Sequence, residues 1–260
     1  MAVTNFIQQI WSKKIQDDLE LKCKLVDNCL RDYEGDCQYA QSVKILGVGE
    51  PTIGAYDGTK DITIEDMTDK GQILTIDQAN YFAFYVDDVD KAQSVPGLPE
   101  RYQEKAVHGL AVARDTYVAN LIAGAANKTT VTMTEEGFKK GVDDAIVALR
   151  ERNFDEEGVI EVTPAGYNLF KNYLITLSTN NPEYIKKGIV GVYDNFNVIM
   201  SNNLKTPGCV RGKKAIAFAG QINKVEALRA EKRFKDIIRG LDTFGAKVID
   251  ENRIQVLTTA

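Results

Sequence analysis

The chain has 260 residues, 44% of them apolar, enough for a substantial core in one large domain or two modest ones. Its 37 acidic and 32 basic side chains give a formal net charge of −5, which disfavours a dedicated nucleic-acid binder, since such proteins carry a basic excess on one face. The four cysteines (Cys23, Cys29, Cys37 and Cys209) form no CxxC pair and have a single histidine to join them, so no zinc site is expected and the spacing suits reduced thiols.

Charge is spread unevenly. Asp57 to Glu100 holds ten acidic and three basic residues, whereas Lys205 to Arg253 holds twelve basic and six acidic. Two solvated faces account for this; opposite regions of neighbouring copies meeting each other would account for it too. The N-terminus lacks the apolar stretch of a signal peptide, and no apolar run approaches the about 18 residues of a membrane span. A cytosolic protein without a membrane partner is the expectation.

From Asn5 to about Arg31, apolar residues recur at three- or four-residue steps: Ile7, Ile10, Trp11, Ile15, Leu19, Val26, Cys29 and Leu30. This predicts an amphipathic helix, with Cys23 and Cys29 as small packing residues. Ser42 to Ile76 alternates in short strand-like pieces between many turn residues and has too few large apolar side chains to bury a core alone. Leu74 to Val89 reads as one aromatic strand. It ends in the acidic run Asp87, Asp88, Asp90, for which pairing with basic side chains is favoured over metal binding.

Pro99 suits the first turn of a helix. From Glu100 to about Ala126, Tyr102, Ala106, Leu110, Ala113, Tyr117 and Leu121 keep a helical step, predicting a rod of roughly 40 Å. Thr134 is the expected cap of a further helix to about Asn153. Gly158–Val162 reads as a short buried strand, Thr163–Pro164 as the start of a helix through Tyr173, and Gly188 to Asn202 and Lys214 to Ala219 as strands. A final strand is placed near Arg253 to Leu257. Alternating strands and helices make this half a compact α/β layer.

Candidate chemistry is thin. His108 lies mid-helix without a partner nucleophile. Gly47–Val48–Gly49–Glu50–Pro51 lacks the third glycine and following helix of a phosphate loop. Glu226, Arg229, Glu231 and Arg233 read as salt-bridging residues on a turn or short helix. A terminal helical arm, a reaching hairpin and a long rod helix describe an assembling protein better than an enzyme.

Three stretches together carry a resemblance: Val86–Asp87–Asp88–Val89–Asp90–Lys91–Ala92–Gln93, the long helix after it, and the segment from Ala215 to Val248. In that order they resemble the major capsid proteins of tailed bacteriophages, the Hong Kong 97 fold. The resemblance implies an α+β architecture: an N-terminal arm (1–37), an extended hairpin loop (38–76), a peripheral domain with a spine helix (77–131), an axial domain (132–215) and a return to the peripheral domain (216–260). It implies a non-enzymatic virion protein, assembled in the host cytoplasm into hexamers and pentamers around double-stranded DNA, with a portal protein and a separate scaffolding protein as partners.

The inter-subunit contacts it suggests are Ile7, Trp11 and Ile15 on the arm, Tyr56, Lys60 and Lys70 on the loop, and Asp87, Asp88, Asp90, Glu226 and Arg229. Lys60 and Lys70 lie in the loop, but nothing identifies a partner for a lysine crosslink, so no crosslink is predicted. An encapsulin-like compartment shell enclosing cargo enzymes shares the fold and is the alternative; a cytosolic α/β enzyme is the competitor from another class.

Overall fold

The computed structural model describes residues 23–33, 42–45, 71–87, 98–177, 191–229 and 235–259. Their strands form three sheets. The smallest pairs β1 (Ser42–Ile45) with β2 (Gln72–Thr75) antiparallel, burying Val43, Ile45 and Leu74 against Ala217 and Ala219. The second has the order β3-β10-β9, built from β3 (Gln78–Asp87), β10 (Lys235–Val248) and β9 (Ile216–Arg229), all antiparallel.

The third sheet has six strands in the order β4-β11-β8-β5-β7-β6. Its members are β4 (Lys128–Val131), β5 (Gly158–Val162), β6 (Val192–Tyr193), β7 (Phe196–Met200), β8 (Gly208–Gly212) and β11 (Ile254–Thr259). β5 and β8 are buried at every position, as expected of central strands covered on both faces. One face packs Cys209, Ile254 and Val256 into a core shared with helix α1 (Leu98–Gly124). The other packs Ile160, Val162, Val210 and Leu257 against Phe138, Val142, Ile146 and Leu149 of α2 (Glu135–Arg150) and Phe170 of α3 (Pro164–Leu177). The Thr134 hydroxyl accepts from the Gly137 N–H at 3.2 Å, closing the first turn of α2 as the sequence predicts.

Four expectations need correction. Residues 23–31 do not continue an N-terminal helix: Val26–Asn28 form a single 3-10 turn and Leu30 bridges to Ala217 of β9. Tertiary bonds have taken the backbone groups that a helix would use. The aromatic stretch divides into β2 and β3, with Ile76 and Asp77 outside both strands. Glu226 and Arg229 lie on no turn or short helix, because β9 runs on as a strand to Arg229, held by pairing with β10 over its whole length. The last strand, expected in the returning segment, is hydrogen-bonded into the six-stranded sheet beside β4 and β8.

Candidate assembly surface

α1 lies against the β3-β10-β9 sheet and fixes which side of it faces the interior. Phe82 and Phe84 of β3 and Ile238 and Phe244 of β10 turn towards α1 and its core. Deep in that contact Arg114 of α1 forks onto Asp242 of β10, Nε to Oδ2 at 3.0 Å and Nη2 to Oδ1 at 2.5 Å. Its guanidinium also sits 5.6 and 5.9 Å from the ring centroids of Phe218 and Phe244. Gly240 belongs to the same inner row, and a Cβ there would come within 2.4 Å of the Phe82 ring that lies across it.

Because side chains alternate along a strand, the neighbouring residues point the other way. Tyr81 is 80% exposed and Tyr85 60% exposed. The register sets Tyr81 opposite Leu241, Ala83 opposite Arg239, and Tyr85 opposite Ile237, with Glu226 and Leu228 of β9 continuing the last two rows. Leu228 and Leu241 are also exposed, at 42% and 39%. The described side chains of the outer face thus put apolar groups at Tyr81–Leu241 and at Tyr85–Ile237–Leu228, with a charged row between. In that row Arg239 donates to Glu226 Oε2 at 2.6 and 2.8 Å. A groove of about 380 Å³ runs along it, lined by Tyr81, Ala83, Glu226, Arg239 and Leu241 over Phe82 and Gly240.

An exposed face of this composition is a candidate interaction site. Arg239 and Glu226 are partly solvated, so their pair adds only about 0–1 kcal/mol to the fold.

The structure gathers part of the sequence-derived set here. Glu226 lies in the charged row. Arg229 is one strand end away, paired with Asp236 at 3.0 Å, and Asp87 closes β3 opposite Lys235. Ile7, Trp11, Ile15, Tyr56, Lys60, Lys70, Asp88 and Asp90 lie outside the described residues. Sequence reasoning missed Tyr81, Tyr85, Leu228, Arg239 and Leu241. The alternation of Ile237 to Phe244 was the available signal, but without the partner strand it does not say which face is outward. His108 is exposed on α1. Among the described residues no group of three His, Cys, Asp or Glu could hold a metal ion, and no helix is long and apolar enough to cross a membrane.

No family model matches the chain, and no curated protein matches it in sequence. Solved structures do. A structure from Mycobacterium phage Che8 superposes with a TM-score of 0.76 at 24% identity, covering 90% of each chain. The capsid structure of the cyanophage P-SCSP1u gives a TM-score of 0.72 at 16% identity, covering 89% of this chain and 86% of the other. The mature capsid of bacteriophage PhiM1 gives 0.68 at 12% identity, covering 92% and 87%.

The chain has the fold of the tailed-phage capsid proteins. That fold is the mixed α+β architecture the resemblance implied, and it extends over nearly all of the chain. A virus-like particle from Pyrococcus furiosus is also similar, with a TM-score of 0.61 at 14% identity, covering 96% of this chain and 99% of that one.

Proposed function

We propose that this chain is the shell subunit of a tailed-phage head, assembling with copies of itself into hexamers and pentamers that enclose double-stranded DNA. The superposition on phage capsid subunits over about nine-tenths of each chain carries the reading. Function on this view resides in surfaces, and the outer face of β3-β10-β9 is one that a neighbouring copy covers. A contact of this size is modest alone, but repetition in a closed shell multiplies it through effective concentration. The net charge of −5 suits a wall that surrounds DNA without gripping it. We further propose that residues before Cys23 act as the arm, residues 38–76 as the loop that reaches a neighbour, and α1 as the spine, with scaffolding and portal proteins as assembly partners.

The Pyrococcus particle supports a second reading, a compartment shell enclosing cargo enzymes. Electron microscopy of the purified full chain, with nucleic acid assayed in the same particles, tests both. Large shells holding DNA after co-expression with the packaging partners support the phage head. Small, uniform, DNA-free shells carrying protein cargo favour the compartment. Replacing Tyr81 and Leu241 together by Asp should leave a folded subunit that forms no shells; normal shells from that variant would remove the outer face from the assembly scheme.

A further inference from the structure

The segment 23–30 is joined to the body by polar clamps of unusual placement. The Asp115 carboxylate, on α1, accepts three successive backbone N–H groups: Lys24 at 3.0 Å, Leu25 at 3.1 Å and Val26 at 3.3 Å. From the opposite side Arg211, on β8, donates to the carbonyls of Leu25 at 2.9 Å and Asn28 at 2.7 Å. Arg211 is itself forked onto Glu161 of β5 at 3.0 and 2.7 Å, and both side chains are fully buried. Leu30 then exchanges two backbone bonds with β9, to Ile216 and from Phe218. Leu25, Val26, Cys23 and Cys29 are buried beneath.

We propose that residues 23–30 form a latch that opens as a unit, detaching from α1 and the six-stranded sheet while both cores stay folded. Three features support this. The segment's partners lie about ninety or more positions away along the chain, and between it and the sheets its only strand-like pairing is the Leu30 bridge, so it can leave without parting a ladder. Removing it does not orphan the buried guanidinium, because Arg211 keeps both bonds to Glu161; an open socket thus avoids the large penalty of an unpaired buried charge. Asp115 likewise retains the side-chain bond from Asn203 and gains water. The latch fixes where the chain before residue 23 joins the body, and it does so by gripping α1 and the six-stranded sheet at once. The inference does not rest on the shell reading and is tested on the unassembled subunit.

The buried cysteines provide the readout. Burial, with the Asp115 charge adding to it, pushes the Cys23 thiol up to about 12, and burial pushes Cys29 up to about 11. Burial also raises Cys209, in β8. A closed latch therefore leaves little thiolate at pH 8, and alkylation reports opening. The purified full chain is treated with N-ethylmaleimide and the sites are resolved by mass spectrometry. Cys23 and Cys29 should react together and faster than Cys209. Their rates should depend weakly on urea, whereas Cys209 should show the steep dependence of global unfolding. Asp115→Asn should raise the Cys23 and Cys29 rates at least about tenfold and leave Cys209 unchanged. Parallel urea dependence of all three thiols in the unaltered chain would overturn the latch, even if the variant fails to fold. So would an equal rise at all three in Asp115→Asn, or no rise at any.

Discussion

The Arg114–Asp242 pair gives the sharpest test of how α1 is fastened to the β3-β10-β9 sheet. Arg114 is 5% exposed and Asp242 is fully buried, so neither charge has water as an alternative partner. Asp242→Leu strands a guanidinium in a dry site, and Arg114→Met strands a carboxylate. Each loss should cost about 3–5 kcal/mol. The faces of Phe218 and Phe244 continue to hold the cation in Asp242→Leu and recover about 1–2 kcal/mol of that, placing this variant at the lower end. Arg114→Met/Asp242→Leu replaces both charges by apolar side chains that pack beside the Phe218 and Phe244 rings, and should fall within about 1–2 kcal/mol of the unaltered chain. The cycle therefore predicts strongly non-additive losses. Urea unfolding of the unassembled subunit, followed by far-ultraviolet circular dichroism, measures all four corners. Additive losses, or a single substitution costing under about 1 kcal/mol, would show that the pair does not carry the contact.

Thr134→Ala removes the oxygen that closes the first turn of α2 and should cost about 1 kcal/mol in the same unfolding assay, with no effect on shell formation. Gly245→Ala places a methyl about 2.1 Å from the Thr75 carbonyl oxygen, so it should detach the β1-β2 pair from β10 and lower the unfolding midpoint by more than Thr134→Ala does. Removing residues 1–22 should leave a folded subunit with impaired assembly, whereas removing 1–31 also takes away buried Leu25 and Val26 and should destabilise the fold. Trp11→Ala should weaken assembly more than subunit stability, as judged by particle yield against unfolding midpoint.

Elements whose pattern and surroundings agree were legible in the sequence. α1 was read within two residues at each end because it has a continuous helical step with Pro99 at its start and Gly124 at its end. α2 was legible through Thr134 and its apolar face, and β5 and β11 through short apolar runs. The reading failed where tertiary partners override the local pattern. Residues 23–30 carry a helical step, yet Asp115 claims the N–H groups of residues 24–26 and Arg211 claims the carbonyls of 25 and 28, and no local feature of the sequence predicts either. The β9 tail failed for a related reason. Val225 to Arg229 mixes charges that suit a turn, and only the opposing strand of β10 makes it a ladder. The outer face was illegible because strand parity is visible in one sequence but its direction is not.

That parity has a consequence for how the fold and any assembly role share the same strands. On β10, Ile238, Gly240, Asp242 and Phe244 face inward, while Ile237, Arg239 and Leu241 face outward; on β3, Phe82 and Phe84 face inward, and Tyr81, Ala83 and Tyr85 outward. Substitutions one residue apart should therefore fall into different classes. Phe82→Ala removes a partly buried ring that lies across Gly240 and should cost about 1.5–3 kcal/mol of subunit stability. Tyr81→Ala removes a ring that is 80% exposed and should leave subunit stability within about 0.5 kcal/mol while lowering particle yield. The register irregularity between Leu241 and Asp242 marks the limit of the scheme on β9: Val225 faces inward beside Gly240, and beyond the extra residue Asn223 it is Gly220 and Phe218 that lie inward beside Phe244 and Ala246. The alternation of effects should thus hold on β10 from Ile237 to Asp242 and end on β9 at Asn223, beyond which Ala217 and Ala219 on the other face are themselves buried under β1 and β2. Particle yield and unfolding midpoint measured on an alanine series over Tyr81–Tyr85 and Ile237–Asp242 would detect that alternation, and a series in which the two quantities fall together at every position would refute the division of the sheet into a folding face and an assembly face.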